Sequence, residues 1–152
     1  MNIKALATGA LLLLAVGGAV YVLVGEQSEG TAADTLPADG VVVYYFHGTK
    51  RCGTCNKMER LTAEVVNDRF GERRRDGSVA FRAVNLETDA TRHFITDFEL
   101  ASKAVVMVER GGGKDLAWRR LDAIWEKIAD DAAYSDYIAE NLTACLANLD
   151  ES

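Results

Sequence analysis

The strongest constraint on the fold is the stretch YYFHGTKRCGTCNKMERL, Tyr44 to Leu61, in which two cysteines lie between an apolar run and a charged segment. Val41–Phe46 is continuously apolar and β-branched or aromatic, as is typical of a strand covered on both faces of a sheet. Apolar residues at helical spacing then occupy Thr54–Gly71, where the glycine is expected to end the helix. Cys52 and Cys55 therefore stand where a strand gives way to a helix, and the pair can be a metal clip, a structural disulfide or a redox centre.

The remaining residues continue this alternation of short apolar runs and helical patterns. An α/β domain with a central mixed sheet in the order β-α-β-α-β-β-α, flanked by helices, follows from it. The predicted elements are a strand at Ser78–Leu86, a helix at Thr88–Leu100 with Phe94, Ile95 and Phe98 inward, strands at Ala104–Val108 and Lys114–Leu121 joined by a turn at Arg110–Gly113, and a helix at Asp122–Leu149 with a break near Tyr134–Asp136.

The N-terminal segment predicts export. After Lys4, no charged residue occurs from Ala5 to Val24, and this run is about the 20 residues needed to cross a bilayer as a helix. We therefore predict a transmembrane anchor at 1–24, a flexible linker at 25–40 and a folded domain at 41–149. Lys4 favours a cytoplasmic N-terminus, which places the domain on the periplasmic side of a bacterial inner membrane. A cleaved signal peptide is the alternative and also exports the domain.

Charge and length narrow the function classes. The 152 residues contain 17 Lys and Arg against 23 Asp and Glu, for a formal net charge of −6. One basic cluster, Glu72–Gly77, is interrupted by acids and is predicted to be a solvated turn. Nucleic-acid binding normally requires a basic patch or stripe, so we expect no nucleic-acid partner.

The position of the cysteines favours a reactive thiol. A helix N-terminus stabilises an anion, so the pKa of Cys52 is expected to lie below its free value of about 8.5. Lys50 and Arg51 add positive potential immediately before it. With only Gly53 and Thr54 in between, Cys55 can approach Cys52 closely enough for a disulfide, and we expect Cys55 to be the more buried of the two.

The Cys-x-x-Cys at the start of the first helix, together with the order of elements from Val41 to Leu149, resembles the thioredoxin-like superfamily, in particular its small exported or membrane-tethered prokaryotic members. The resemblance implies that Cys52 attacks a partner disulfide and that Cys55 resolves the mixed disulfide. It also implies protein disulfides as substrates, a membrane thiol-transporting electron donor as partner, and no cofactor beyond the Cys52–Cys55 disulfide itself. Reduction of the partner is the expected direction, with oxidation as the alternative.

Two departures from the thioredoxin pattern affect the site. Ala104, after Lys103, stands where the family has a cis-proline facing the cysteines, so we predict a trans peptide and a different substrate groove at these two residues. Phe46 replaces the buried acid found in many thioredoxins, so Cys55 needs another proton acceptor. His47 is the nearest candidate.

Other roles for the cysteines, histidines and tryptophans remain open. A structural disulfide closing so short a loop would remove little chain entropy, and zinc typically requires four ligands. The rival function is nevertheless a non-enzymatic metal-binding or metal-transfer module that uses Cys52, Cys55 and His47; our prediction is no metal. We also predict that His93 lies on the surface and that Trp118, Trp125 and Cys145 are packing residues.

Overall fold

The computed structural model describes residues 35–151, so the predicted anchor at 1–24 and most of the predicted linker lie outside the described residues. The four predicted strands are confirmed. They are β1 (Gly40–His47), β2 (Val79–Asn85), β3 (Ala104–Gly111) and β4 (Lys114–Arg120).

These strands form one mixed sheet in the order β2-β1-β3-β4. β1 is parallel to β2, whereas β3 is antiparallel to both β1 and β4. The parallel pair requires a crossover, and the helix that follows the cysteines supplies it. Because β1 is central, its C-terminal end brings His47 beside the ends of both neighbouring strands.

The helices are unequal in length. Two long ones lie on one face of the sheet, and no helix among the described residues is long and apolar enough to cross a membrane. The helices of the described residues are α1 (Gly53–Glu64), continued by a π-helical turn (Val65–Arg69), α2 (Gly71–Arg75), α3 (Phe94–Asp97), α4 (Ile124–Lys127) and α5 (Asp131–Asp150). The two long ones are α1 and α5.

The helix predicted at Thr88–Leu100 is wrong in extent. Its first part forms turns, and only the four residues of α3 are helical. The Thr91 hydroxyl bonds to the carbonyl of Asn85 and to the Thr88 hydroxyl, and such local side-chain bonds compete with helix formation. Ile95, which we expected to point inward, is 39% exposed, whereas Phe98 is buried.

Two predicted helix boundaries are also wrong. Gly71 begins α2 rather than ending a helix, so the cluster predicted as a turn is mostly helical. The break in the last helical region lies before Asp131, not near Tyr134–Asp136. Asp130 caps α5 by accepting hydrogen bonds from the backbone N–H groups of Ala132 and Ala133, and aspartate is among the preferred N-cap residues.

The sheet separates two apolar layers, and alternate residues of β1 enter each. One layer packs α1 and α5 against Val41, Val43 and Tyr45. The other packs α3 and the segment after it against Val42, Tyr44 and Phe46. This two-sided burial explains why β1 is continuously apolar.

The chain enters the domain at the β3–β4 hairpin. Gly112 and Gly113 form the two-residue turn with φ of 58° and 76°, a conformation that glycine adopts readily. Arg110 Nη1 donates a 2.9 Å hydrogen bond to the Pro37 carbonyl, and Gly112 N–H donates a 2.7 Å bond to Asp39. These contacts lie at the opposite end of β1 from His47, so residues 37–39 of the predicted linker are attached to the domain.

Candidate functional site

Cys52 and Cys55 form a disulfide, with their Cα atoms 5.0 Å apart. Cys52 is the N-cap residue of α1, and its sulfur accepts a 3.2 Å hydrogen bond from the backbone N–H of Cys55. Cys52 is exposed, whereas Cys55 is 0% exposed. One sulfur is therefore open to a partner and its mate is shielded, as we expected from the position of the pair.

Gly53 and Thr54, the residues between the cysteines, form the exposed start of α1. A side chain at Gly53 would meet no atom within 4 Å. Gly53 therefore leaves the surface beside Cys52 open.

Tyr45 of β1 contacts the backbone of the buried cysteine. Its hydroxyl donates a 2.8 Å hydrogen bond to the Cys55 carbonyl, and both groups are buried. Burial raises the pKa of Tyr45, although Arg51 opposes that shift, so the hydroxyl keeps its proton and acts as a donor. Tyr45 fixes the backbone of the cysteine turn to the central strand.

His47 lies at the end of β1, 9% exposed. Its Nδ1 is 2.9 Å from the Gly48 carbonyl, and its Nε2 is 3.1 Å from Nη1 of Arg51. A carbonyl can only accept and a guanidinium can only donate, so these contacts fit a ring that donates from Nδ1 and accepts at Nε2. Both ring nitrogens of His47 are therefore occupied.

Arg51 and Lys50, the predicted sources of positive potential, differ in their surroundings. Lys50 is exposed in the loop before α1. Arg51 instead contacts three side chains: Nη1 meets His47, Nε donates a 3.2 Å hydrogen bond to Asn56, and Nη2 is in ion-pair contact with Glu59. The guanidinium of Arg51, the residue before Cys52, is thus held in place and partly neutralised.

Lys103 and Ala104 reach the same end of the sheet as His47. Ala104 begins β3 and pairs with Phe46 of β1. Among the described residues every peptide bond is trans, which confirms the prediction for Lys103–Ala104.

Two side chains brace the loop that precedes β3. Trp125 Nε1 donates a 3.2 Å hydrogen bond to the Lys103 carbonyl, and Arg120 Nη1 donates a 2.6 Å bond to the Glu99 carbonyl. Glu99 has a φ of 53°, a left-handed conformation that is uncommon for a residue other than glycine. Trp125, which we predicted to be a packing residue, is 44% exposed. Side-chain bonds thus hold this loop without a cis-proline.

A groove of about 390 Å³ extends from His47 along this loop. Its walls combine apolar side chains with one carboxylate and one ammonium group. Glu87 provides the carboxylate, and hydrogen bonds from Thr49 lower its pKa. The lining residues are His47, Gly48, Leu86, Glu87, Ile95, Leu100, Ala101, Ser102, Lys103 and Trp125.

The other candidate residues, His93, Trp118 and Cys145, do not line this groove. His93 is exposed and pairs with Asp97 at 2.7 Å. Trp118 is 42% exposed and makes an edge contact with Phe98. Cys145 is buried in α5, and burial raises the pKa of its thiol to about 12. Within residues 35–151 there is no group of three or more His, Cys, Asp or Glu side chains arranged to hold a metal ion.

Sequence reasoning missed three residues of the site: Tyr45, Glu59 and Glu87. Tyr45 lies two positions before His47, which places both on one face of β1. Glu59 lies four residues after Cys55, hence on the same side of α1. These spacings offered a signal, but only the folded chain shows that Glu87 lies over Gly48, where an added Cβ would come 2.6 Å from its carboxylate oxygen.

Comparison with known proteins identifies no family. No protein-family description matches the sequence, and no curated protein matches it. Among solved structures, the chain is similar to a malarial protein at 16% identity, covering 73% of this chain and 98% of that one, with a TM-score of 0.41. It is also similar to a thioredoxin from Thermus thermophilus at 15% identity, covering 63% of this chain and 76% of that one, with a TM-score of 0.32.

The topology itself is consistent with a thioredoxin-like fold. Its four-stranded mixed sheet has the order β2-β1-β3-β4, and the Cys52–Cys55 disulfide lies at the N-terminus of the helix that follows the central strand. A cysteine pair at disulfide distance in this setting suggests a thiol-redox role.

Proposed function

We propose that this protein is a thiol–disulfide oxidoreductase that reduces the disulfides of other proteins through Cys52 and Cys55. The observation that supports the proposal most directly is the asymmetry of the pair: Cys52 is exposed at the N-terminus of α1, whereas Cys55 is 0% exposed behind it. A helix N-terminus stabilises the thiolate that performs the attack. The shielded thiol then acts only within the molecule.

The proposed reaction starts from the dithiol. The Cys52 thiolate attacks one sulfur of the partner's disulfide, that bond breaks, and one partner sulfur leaves as a thiolate. Cys55 loses its proton and attacks the Cys52 sulfur, which forms the Cys52–Cys55 disulfide and releases the second partner thiolate. Two electrons pass to the partner, whose thiolates take up two protons. A membrane dithiol donor then returns two electrons and two protons to the domain.

We assign supporting roles to the surrounding residues. Lys50 and Arg51 supply positive potential to Cys52, and Gly53 and Thr54 leave it accessible. His47 is the proposed proton acceptor for Cys55, and because Nε2 already meets Arg51, proton transfer there requires this contact to open. The groove that Lys103 lines receives the polypeptide that bears the disulfide. Ala104, the other residue predicted to shape the groove, is buried at the start of β3 and is not one of its lining residues. An uncharged run at Ala5–Val24 supports tethering to a membrane with the domain on its periplasmic side.

A redox titration of the full chain, purified in detergent, tests this proposal. The protein is equilibrated in glutathione buffers of defined ratio, its free thiols are trapped, and bound metal is measured in the same samples. We expect a reversible two-electron transition that is lost in Cys52→Ser and in Cys55→Ser. The absence of a transition, with a stoichiometric metal released by either substitution, would overturn the proposal in favour of the metal module.

The metal module has less support from the geometry. Both nitrogens of His47 are occupied, by the Gly48 carbonyl and by Arg51. His47 could therefore join the two cysteines as a third metal ligand through Nε2 only if Arg51 moved away.

A further inference from the structure

Arg51 directly precedes Cys52, and its guanidinium group contacts three side chains. His47 and Asn56 accept hydrogen bonds from two of its nitrogens. Neither of these partners is anionic, so neither cancels the charge. Glu59 is different, because its carboxylate contacts the third nitrogen, Nη2.

The surroundings of Glu59 strengthen its interaction with Arg51. Its side chain is 27% exposed and that of Arg51 is 31% exposed. The Glu59 Oε2 atom is buried, and it is this atom that contacts Nη2 of Arg51. Opposite charges shielded from water interact more strongly than those at an open surface. Glu59 is therefore suited to offset the potential that Arg51 would otherwise direct at Cys52.

We propose that Glu59 is a positioning residue that lowers the reduction potential of the Cys52–Cys55 pair by neutralising Arg51. The inference rests on the proposed redox function. Reduction of the disulfide consumes two electrons and two protons and yields a dithiol in which Cys52 can ionise. A positive charge near Cys52 stabilises that reduced form, and Glu59 weakens this stabilisation. The pair is thereby kept reducing, which matches a protein that donates electrons.

Glu59→Gln tests the inference, with Glu64→Gln as the matched control. Glu64 lies on the same helix and also pairs with an arginine, Arg60, at 2.9 Å, but this pair is exposed. In glutathione buffers we expect Glu59→Gln to shift the equilibrium toward the dithiol by about three- to tenfold, a tenfold change being about 30 mV. We expect Glu64→Gln to remain within about twofold of wild type, as is usual for an exposed pair.

A second readout does not depend on redox cycling. The rate at which iodoacetamide alkylates reduced Cys52 is measured as a function of pH, which reports the ionisation of this thiol. Glu59→Gln is expected to move the midpoint to lower pH, and Glu59→Asp, which retains the charge, to stay nearer wild type. High salt should reduce the difference between wild type and Glu59→Gln, because it screens the charges.

The route through Arg51 is tested by a double-mutant cycle. In an Arg51→Gln background, Glu59→Gln should no longer change either the equilibrium or the alkylation midpoint. Equal values for Glu59→Gln and wild type, or an unchanged effect of Glu59→Gln without Arg51, would overturn the inference. If wild type itself lacked a two-electron transition, the proposed function would fail, while the alkylation midpoints would still decide the role of Glu59.

Discussion

The three cysteines of this chain occupy two opposite environments. Cys52 and Cys55 lie where a helix begins, bridged to each other, and one sulfur faces solvent. Cys145 lies within α5, 0% exposed in the apolar layer beneath the sheet. The same side chain is thus placed for chemistry in one region and for packing in the other. Position relative to a helix end and to solvent, rather than residue type, determines which cysteine can react.

The largest difference is expected in thiol reactivity. At pH 8, after reduction, iodoacetamide should modify Cys52 at least about a thousandfold faster than Cys145, because burial raises the pKa of the Cys145 thiol to about 12. Mass spectrometry of the digested protein over time measures both rates. In guanidinium chloride the two rates should converge, and similar rates in the folded protein would contradict this account of the two environments.

A smaller effect is expected from the hydroxyl beneath Cys55. Tyr45→Phe removes the buried hydrogen bond to the Cys55 carbonyl, while that carbonyl keeps its position as an acceptor within α1. The loss of one such bond should lower the free energy of unfolding by about 0.5–1.5 kcal/mol. Urea denaturation of the oxidised protein measures this change.

Tyr134→Phe is the matched control for Tyr45→Phe. The Tyr134 hydroxyl is also buried and bonds to Thr62 and to the Met58 carbonyl, one turn further along α1. Both substitutions should destabilise the protein, but only Tyr45→Phe should also change the glutathione equilibrium. An equal redox shift in both variants would mean that Tyr45 acts through general stability alone.

A third effect appears only at alkaline pH. The pKa of Cys145 is raised from 9.0 to about 12 in the folded protein, so its neutral form contributes stability that is present below about pH 9 and is lost as pH rises toward 12. Urea denaturation between pH 8 and pH 11 should show this loss. In Cys145→Ala the free energy of unfolding should fall less steeply with pH, because one titrating proton is removed. An identical slope in both proteins would contradict the raised pKa of Cys145.

The positions of the apolar runs and of the glycines between them were sufficient to predict the four strands of the sheet. The run Val41–Phe46 is apolar throughout because both faces of β1 are covered, and the glycines at Gly112 and Gly113 mark the hairpin. The helix at Thr88–Leu100 was overextended, because Thr91 satisfies nearby groups through its hydroxyl and no propensity rule weighs that specific bond. Local competition of this kind is visible only once the chain is folded.

The cysteine pair could likewise be located from the sequence, whereas its electrostatic surroundings could not. Lys50 and Arg51 both looked like sources of positive potential because they precede Cys52 directly. Glu59 joins Arg51 only after α1 has formed and the loop before it has folded back. Interactions between a loop and a helix face depend on side-chain direction, which spacing alone does not determine.

The bond between Arg110 and Pro37 has a mechanical consequence. The chain enters the domain at the hairpin end of β1, about 26 Å from the end that leads to Cys52, given eight residues at about 3.3 Å each. A pulling force transmitted through the preceding chain would be borne first by Arg110, Asp39 and the glycine turn. The disulfide lies at the unloaded end of the strand, so tension on the chain would not be applied directly to Cys52 during an encounter with a partner.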